Sequence, residues 1–221
     1  MALVFDAATR VHSDSATSLT DTHTSTGSNL IGLVFTYVGS GDHLNSLTWA
    51  SVDILANQIA KVQLPTFGFL YCHYVASPTT GSQSVIAGSS GGATFFTVAS
   101  VTYTGGKQTS IPDASISSNS ASTNSIAQSL TTIADNCWLA MGAIIGSQED
   151  VTAGSNTTVR IQSGSASGAF AGTDSNAAMT PAGSYAQNAT WTSADKACWI
   201  VVSIAPAVAS IAKNLTLLGV G

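Results

Sequence analysis

The side chains best suited to proton transfer or metal ligation are four histidines, His12, His23, His43 and His73, and they stand far apart in the sequence. None belongs to an i, i+4 pair that would set two imidazoles on one helical face for zinc. His73 alternates with Phe69 and Tyr71 on one strand face, which reads as a packed or surface ring rather than a ligand or base. A chain this rich in serine contains every ingredient of a Ser-His-Asp trio, but no G-x-S-x-G elbow leads from a strand into a helix. Glu149 is the one glutamate and adjoins Asp150 in an acidic loop, so the paired carboxylates of glycoside hydrolysis have no pattern here. Asp42, Asp113 and Asp174 are single carboxylates in separate turns, a weak set for calcium unless two turns converge. Cys72, Cys137 and Cys198 each lie inside an apolar run with no metal-ligand spacing. They read as buried thiols, with a disulfide between two of them left open. A non-catalytic protein without a cofactor is expected.

The remaining candidates for chemistry are aromatic. Trp138 and Trp199 fall in strongly apolar runs and read as core. Trp191 follows the polar stretch QNAT and is expected at the surface, where its indole could stack on a sugar. The loop from Gly164 to Pro181 would be its neighbour in such a site.

Composition narrows the partners. Only 8% of the 221 residues are charged while 44% are hydrophobic, so the surface must be covered by hydroxyls and amides rather than ions. Such a surface loses little side-chain entropy when it packs on a neighbour, and it suits permanent contacts. A net charge of −5, with four lysines and two arginines scattered along the chain, offers no row of cations for phosphates, and nucleic-acid binding is not expected. Asp6 and Arg10 interrupt any apolar run near Met1, which argues against an export signal. The apolar run Ala197 to Ala212 is broken by Pro206 and is too short for a membrane span. A soluble product is expected.

The elements that would position these residues are strands. Apolar residues recur with a period of two and no helical stripe lasts beyond two turns. The clearest element runs from Ala93 to Ser115, with a Gly105-Gly106 break and a Pro112-Asp113 turn. Leu30 to Val38 and Cys137 to Gly146 are apolar on both parities and predict strands covered on both faces. In the second of these, Ala140, Gly142 and Ala143 would let the opposite sheet approach closely. Ser46 to Ile54 reads as one strand, Ile59 to Leu64 is ambiguous, Ser115 to Ser125 reads as a loop or exposed edge, and Gly164 to Pro181 reads as a long surface loop. Thr190 to Thr192 and Ala197 to Ile204 close the fold as separate strands. About eleven strands and little or no helix predict an all-β, two-sheet antiparallel sandwich. One domain over residues 1–207 is expected, followed by a tail at 208–221 whose apolar patch is Leu215, Leu217, Leu218 and Val220.

Six segments carry a resemblance: VFDAATR, SLTDTHTSTGSNLIGLVF, SLTWASVDI, FLYCHYVASPTTGSQSV, ATFFTVASVTYTGGKQTSIPDAS and WTSADKACWIVVSIAPA. Together they span most of residues 2–207. The chain resembles a family of β-sandwich domains found in bacterial surface and secreted proteins and in phage particle proteins. It departs from that family in lacking a polar residue near the start of the strand at Leu30 and in its longer tail. The resemblance implies a jelly-roll-like sandwich and carries over no catalytic residue. With the composition, it leads to the expectation of a virion structural protein, a phage head decoration, fibre or tail-associated component. Its partners would be other virion proteins and copies of itself, with Leu215, Leu217, Leu218 and Val220 anchoring one subunit to the next. The alternative is a carbohydrate-binding or adhesin-like module at the cell surface or outside the cell, taking a host-surface glycan through Trp191.

Overall fold

The computed structural model of the chain describes residues 2–91, 94–165 and 168–207. It is an antiparallel β-sandwich, with fifteen strands and one short 3-10 turn, Leu55–Asn57, among the described residues. The central sheet has the order β1 (Val4–Ser13), β9 (Phe96–Thr104), β3 (Ile31–Val38), β7 (Phe69–Ala76) and β6 (Gln58–Gln63). A small sheet orders β2 (Ser18–Ser25), β8 (Gly81–Ser89), β4 (Leu44–Trp49) and β5 (Val52–Asp53). A large sheet orders β10 (Ala114–Thr131), β15 (Ser184–Ile204), β11 (Trp138–Ile145), β14 (Gly168–Asp174) and β13 (Thr158–Ser165), with β12 (Thr152–Ala153) pairing to β15.

There are thus three sheets where two are expected, and the doubly apolar strands are the reason. Every residue of β3 is buried. Its Leu33, Phe35 and Tyr37 face the large sheet, among Trp138, Ala140, Ile144, Phe170, Ile200 and Val202. Its Val34 and Val38 face the small sheet, among Leu19, Leu47, Trp49 and Val85. A strand apolar on both parities can be stable only between two layers. The small sheet supplies the second one.

The large sheet solves the same problem with its own chain. Pairing of β10 with β15 loses register between Ser120 and Ser125, and beyond that break the two strands continue together to Thr131 and Ser184. The outer halves fold back over the far face of their own sheet, bringing Ile126, Leu130, Ala189 and Trp191 against Leu139, Met141, Ala143 and Val201. Bulges bend strands in this way because an unpaired residue locally raises the twist. The segments read separately at Thr190–Thr192 and Ala197–Ile204 are therefore one strand of 21 residues.

Three further readings change. The stretch expected as a surface loop at Gly164–Pro181 contains β14, buried at every position and paired between β11 and β13. Its small residues suit an inner strand as well as a loop, and composition alone does not separate the two. The single strand expected at Ser46–Ile54 is a hairpin, with Ala50 and Ser51 turning the chain at φ 49° and 68°. The ambiguous stretch from Ile59 is edge strand β6. The tail residues Leu215, Leu217, Leu218 and Val220 lie outside the described residues.

Candidate functional site

The expected surface loop or edge at Ser115–Ser125 is an edge, and a long one. Strand β10 runs eighteen residues, ASISSNSASTNSIAQSLT, with β15 on one side. Its exposed positions include Ser115, Ile116, Ser117, Ser125, Ala127 and Ser129. Edge strands are ordinarily blunted by charge or proline, which discourages pairing with another chain. The other long edges carry such charges: Asp6 and Arg10 on β1, Lys61 on β6 and Arg160 on β13. β10 carries neither charge nor proline along its whole length. Around the bulge its hydroxyls satisfy its own backbone, Ser120 Oγ donating to the Ser122 carbonyl at 3.1 Å and Thr123 Oγ1 to that of Ser125 at 2.8 Å.

A cleft of about 300 Å³ opens where the central and large sheets end. Tyr37 and Phe95 form its wall with rings 5.7 Å apart, Leu64 and Phe67 come from the β6–β7 turn, and Asp195 and Lys196 come from β15. The Lys196 ammonium lies 4.0 Å from the centroid of the half-exposed Phe67 ring, a cation–π contact. Burial pushes the Tyr37 phenol up, so it stays protonated at neutral pH. Gly39, Gly146 and Gly168 also line the cleft. A Cβ at residue 146 would come within 2.8 Å of the Asp195 carboxylate, so glycine there leaves room for that group. Sequence reasoning missed this cleft because its lining comes from separate strand ends, each unremarkable alone.

Trp191 corrects an expectation. Its indole is only 6% exposed and packs in the core beneath the folded-back strands, so it presents no stacking face to solvent. Polar QNAT alternates with buried positions in a two-sided strand, and a tryptophan after it turns inward. Trp138 and Trp199 are buried as expected, the latter donating its ring N–H to Gln128 Oε1 at 3.0 Å. The three cysteines are free and buried.

The carboxylates considered for calcium are spent on the fold. Asp42 accepts from Tyr71 Oη at 2.6 Å and pairs with Lys61 at 2.5 Å; the lysine, then the tyrosine, hold its carboxyl below the usual range. Asp174 is fully buried and takes Arg160 Nε at 2.8 Å; burial raises its pKa and the guanidinium opposes the rise. Asp113 caps a turn, accepting the backbone N–H groups of Ile133 at 2.8 Å and Ala134 at 3.2 Å. Cys137 donates to the same carboxylate at 3.4 Å, and burial lifts its thiol to about 11, far from a nucleophile's range.

Two of the histidines belong to the layer between the small and central sheets. His23 on β2 is fully buried, with Nδ1 at 2.8 Å from Thr9 Oγ1 and Nε2 at 2.9 Å from Thr102 Oγ1. The two threonines donate onward to Asp21 at 2.7 Å and Asp6 at 2.9 Å. Burial lowers the pKa of His23, and the carboxylates of Asp21 and Asp6 act in the opposite sense. His73 on β7 is also fully buried, with no side-chain hydrogen-bond partner among the described residues and only the backbone of Leu55 beside its ring to favour the charged form. Both rings are closed to solvent, which removes them as catalytic bases toward an external substrate in this conformation. Comparison of the chain with protein-family models, with curated proteins and with solved structures finds no match.

Proposed function

We propose that the protein is a non-catalytic structural component of a virus particle, acting by packing against copies of itself and against other particle proteins. The observation that carries this reading is β10, an uncharged edge strand rich in hydroxyls, whose stretches on either side of its bulge offer a neighbour a strand to pair with, Asn119 reaching across to the Gln63 carbonyl of β6. A stack of sheets with few flexible charged side chains makes a rigid block, and such a block loses little entropy when it joins a lattice. The tail patch of Leu215, Leu217, Leu218 and Val220 is the second proposed contact. Sedimentation and particle-binding assays test both. Ser117→Lys with Ser129→Lys should abolish association while thermal unfolding stays nearly unchanged. Deleting residues 214–221 should weaken assembly in the same way. A monomer that shows no affinity for particles lacking it would end the proposal.

The cleft favours a second reading, a carbohydrate-binding module at the cell surface or outside the cell. An aromatic wall, a carboxylate and an ammonium suit the apolar faces and hydroxyls of a sugar ring, and the volume is at the small end of ligand sites, roughly 300–1,000 Å³. Glycan-array binding that disappears in Phe67→Ala and Asp195→Asn, and persists in a β10 variant, would select it.

A further inference from the structure

The layer between the small and central sheets contains a fault that the other layers do not share to the same degree. Val34, Val38, Phe96 and Val98 meet Leu47, Trp49 and Val85 there in ordinary apolar contact. Alternation along the strands turns Thr36 and Ser100 into the same layer. Thr36 Oγ1, Ser100 Oγ, Trp49 Nε1 and both nitrogens of His73 are buried without a partner among the described residues. Each such group weakens the contact, since its hydrogen bonds to water are lost and not replaced. The small sheet also has a solvent face: β2 alternates exposed and buried residues along its whole length, and β5 is two residues long. The central sheet, in contrast, is locked by its other face to the large sheet.

His73 lies in this layer on β7, paired in register with Val34 of β3 and Gln58 of edge strand β6 and stacked on Tyr71 at 6.4 Å. Among the described residues no free carboxylate faces it. On its own strand Tyr71 donates to Asp42, and Asp42 is already bound to Lys61 of β6. The 3-10 turn brings the backbone of Leu55, which favours the charged ring but is outweighed by burial, while Asp53 of β5 is exposed and accepts from the Leu55 N–H at 2.9 Å. Strands β3, β4, β8 and β9 carry no titratable side chain but the buried Tyr37 and Tyr103, which face the opposite layer. β2 carries Asp21 and His23, and β1 carries Asp6, all three engaged through Thr9 and Thr102.

We propose that the small sheet is an acid-released layer, held on the central sheet at neutral pH and freed when His73 takes up a proton. A charge on that ring has no carboxylate to meet it, and it reaches water when the small sheet lifts. His23 differs, because its charged form can donate from both nitrogens and lies between two carboxylates. Its protonation is compensated in part, the two carboxylates opposing but not outweighing its burial. Release would bare Val34, Val38, Tyr71, Phe96 and Val98, an apolar face of the central sheet available for new contacts.

The size of the effect follows from linkage. Burial holds His73 at about 4 in the closed form, and an opened layer returns it to its ordinary value near 6.5, so the opening constant should rise about 30-fold between pH 7.5 and pH 5. Hydrogen exchange of the full chain at these two pH values, corrected for intrinsic rates, reads this directly. Peptides from β2, β4 and β8 should show this rise and should open at both pH values with a smaller free energy than those from β11 and β14, which wait on global unfolding. The variant His73→Gln keeps a polar group that does not titrate, and His73→Leu fills the site with an apolar one; both should remove most of the rise, the remainder belonging to His23, whose pKa burial also lowers. Opening of β2, β4 and β8 with the same free energy as β11 and β14, no rise at all, or a rise that survives undiminished in both variants would overturn the proposal.

Discussion

The ring of Phe35 occupies the space that a side chain at residue 142 would need. Gly142 of β11 faces Phe35 of β3 across the layer between the central and large sheets, and a Cβ built on it would overlap the ring. Phe35 is buried on all sides, with Phe170 a further 6.4 Å away, so it cannot swing clear. Ala140 and Gly142 therefore do what their size suggests and let two sheets meet around an aromatic ring, whereas Ala143 faces the other way, under the folded-back strands.

Overpacking is the first prediction. Gly142→Ala should lower unfolding free energy by about 1–3 kcal/mol, the range for an added methyl in a filled core. Combining it with Phe35→Leu should recover part of that loss, a non-additivity that urea denaturation of the two single variants and the double variant would measure.

The β4–β5 hairpin turns on Ala50 and Ser51, both at positive φ without glycine or asparagine. L-residues resist that conformation, and two-residue hairpin loops favour Asn-Gly for this reason. The double substitution Ala50→Asn with Ser51→Gly should relieve the turn and raise stability by about 1 kcal/mol. An unchanged or lower midpoint in thermal unfolding would mean that the side chains of this turn matter more than its backbone.

Acid should weaken the whole fold through His73. Its pKa is about 4 when folded and near 6.5 when unfolded, so the unfolded chain binds more protons between these values. Stability from this group is complete above pH 6.5, falls as the pH drops through that window, and levels off below pH 4, a total on the order of 3 kcal/mol. Denaturation at a series of pH values should show this slope in the native chain and lose most of it in His73→Gln, the rest belonging to His23.

Asp113 gathers donors from three parts of the chain: the N–H groups of Ile133 and Ala134, Cys137 Sγ, and Ser203 Oγ at 3.2 Å. Asp113→Ala leaves all of them without their acceptor and should cost about 2–3 kcal/mol. Asp113→Asn keeps part of the acceptor set and should cost less. Equal losses in the two variants, measured by chemical denaturation, would show that charge rather than hydrogen bonding matters there.

Some of these relationships could be read before the fold was known, and the reason is local. The run within Ala93–Ser115 was legible as β9, because a side chain's face in a strand depends only on its parity. Apolarity on both parities announced that β3 and β11 are covered twice. Trp138 and Trp199 were legible as core for the same reason. Trp191 was not: the residues before it are polar, and only the fold-back of β10 and β15 puts a layer over it. The Ala50-Ser51 turn carries no turn residue, and β14 has the composition of a loop.

The amino-acid sequence by itself determined that this chain is all-β, that its strands are mostly buried, and that its surface is hydroxylated rather than charged, since composition and parity act residue by residue. Tertiary structure alone decided that there are three sheets, that β10 is left as an uncharged edge, and that the cleft of Tyr37, Phe67, Asp195 and Lys196 exists. It also decided that His73 is buried without a partner among the described residues while His23 lies between two threonine-linked carboxylates. Those properties depend on which distant segments meet. Pairing and layer contacts between residues far apart in the chain leave no mark in local spacing.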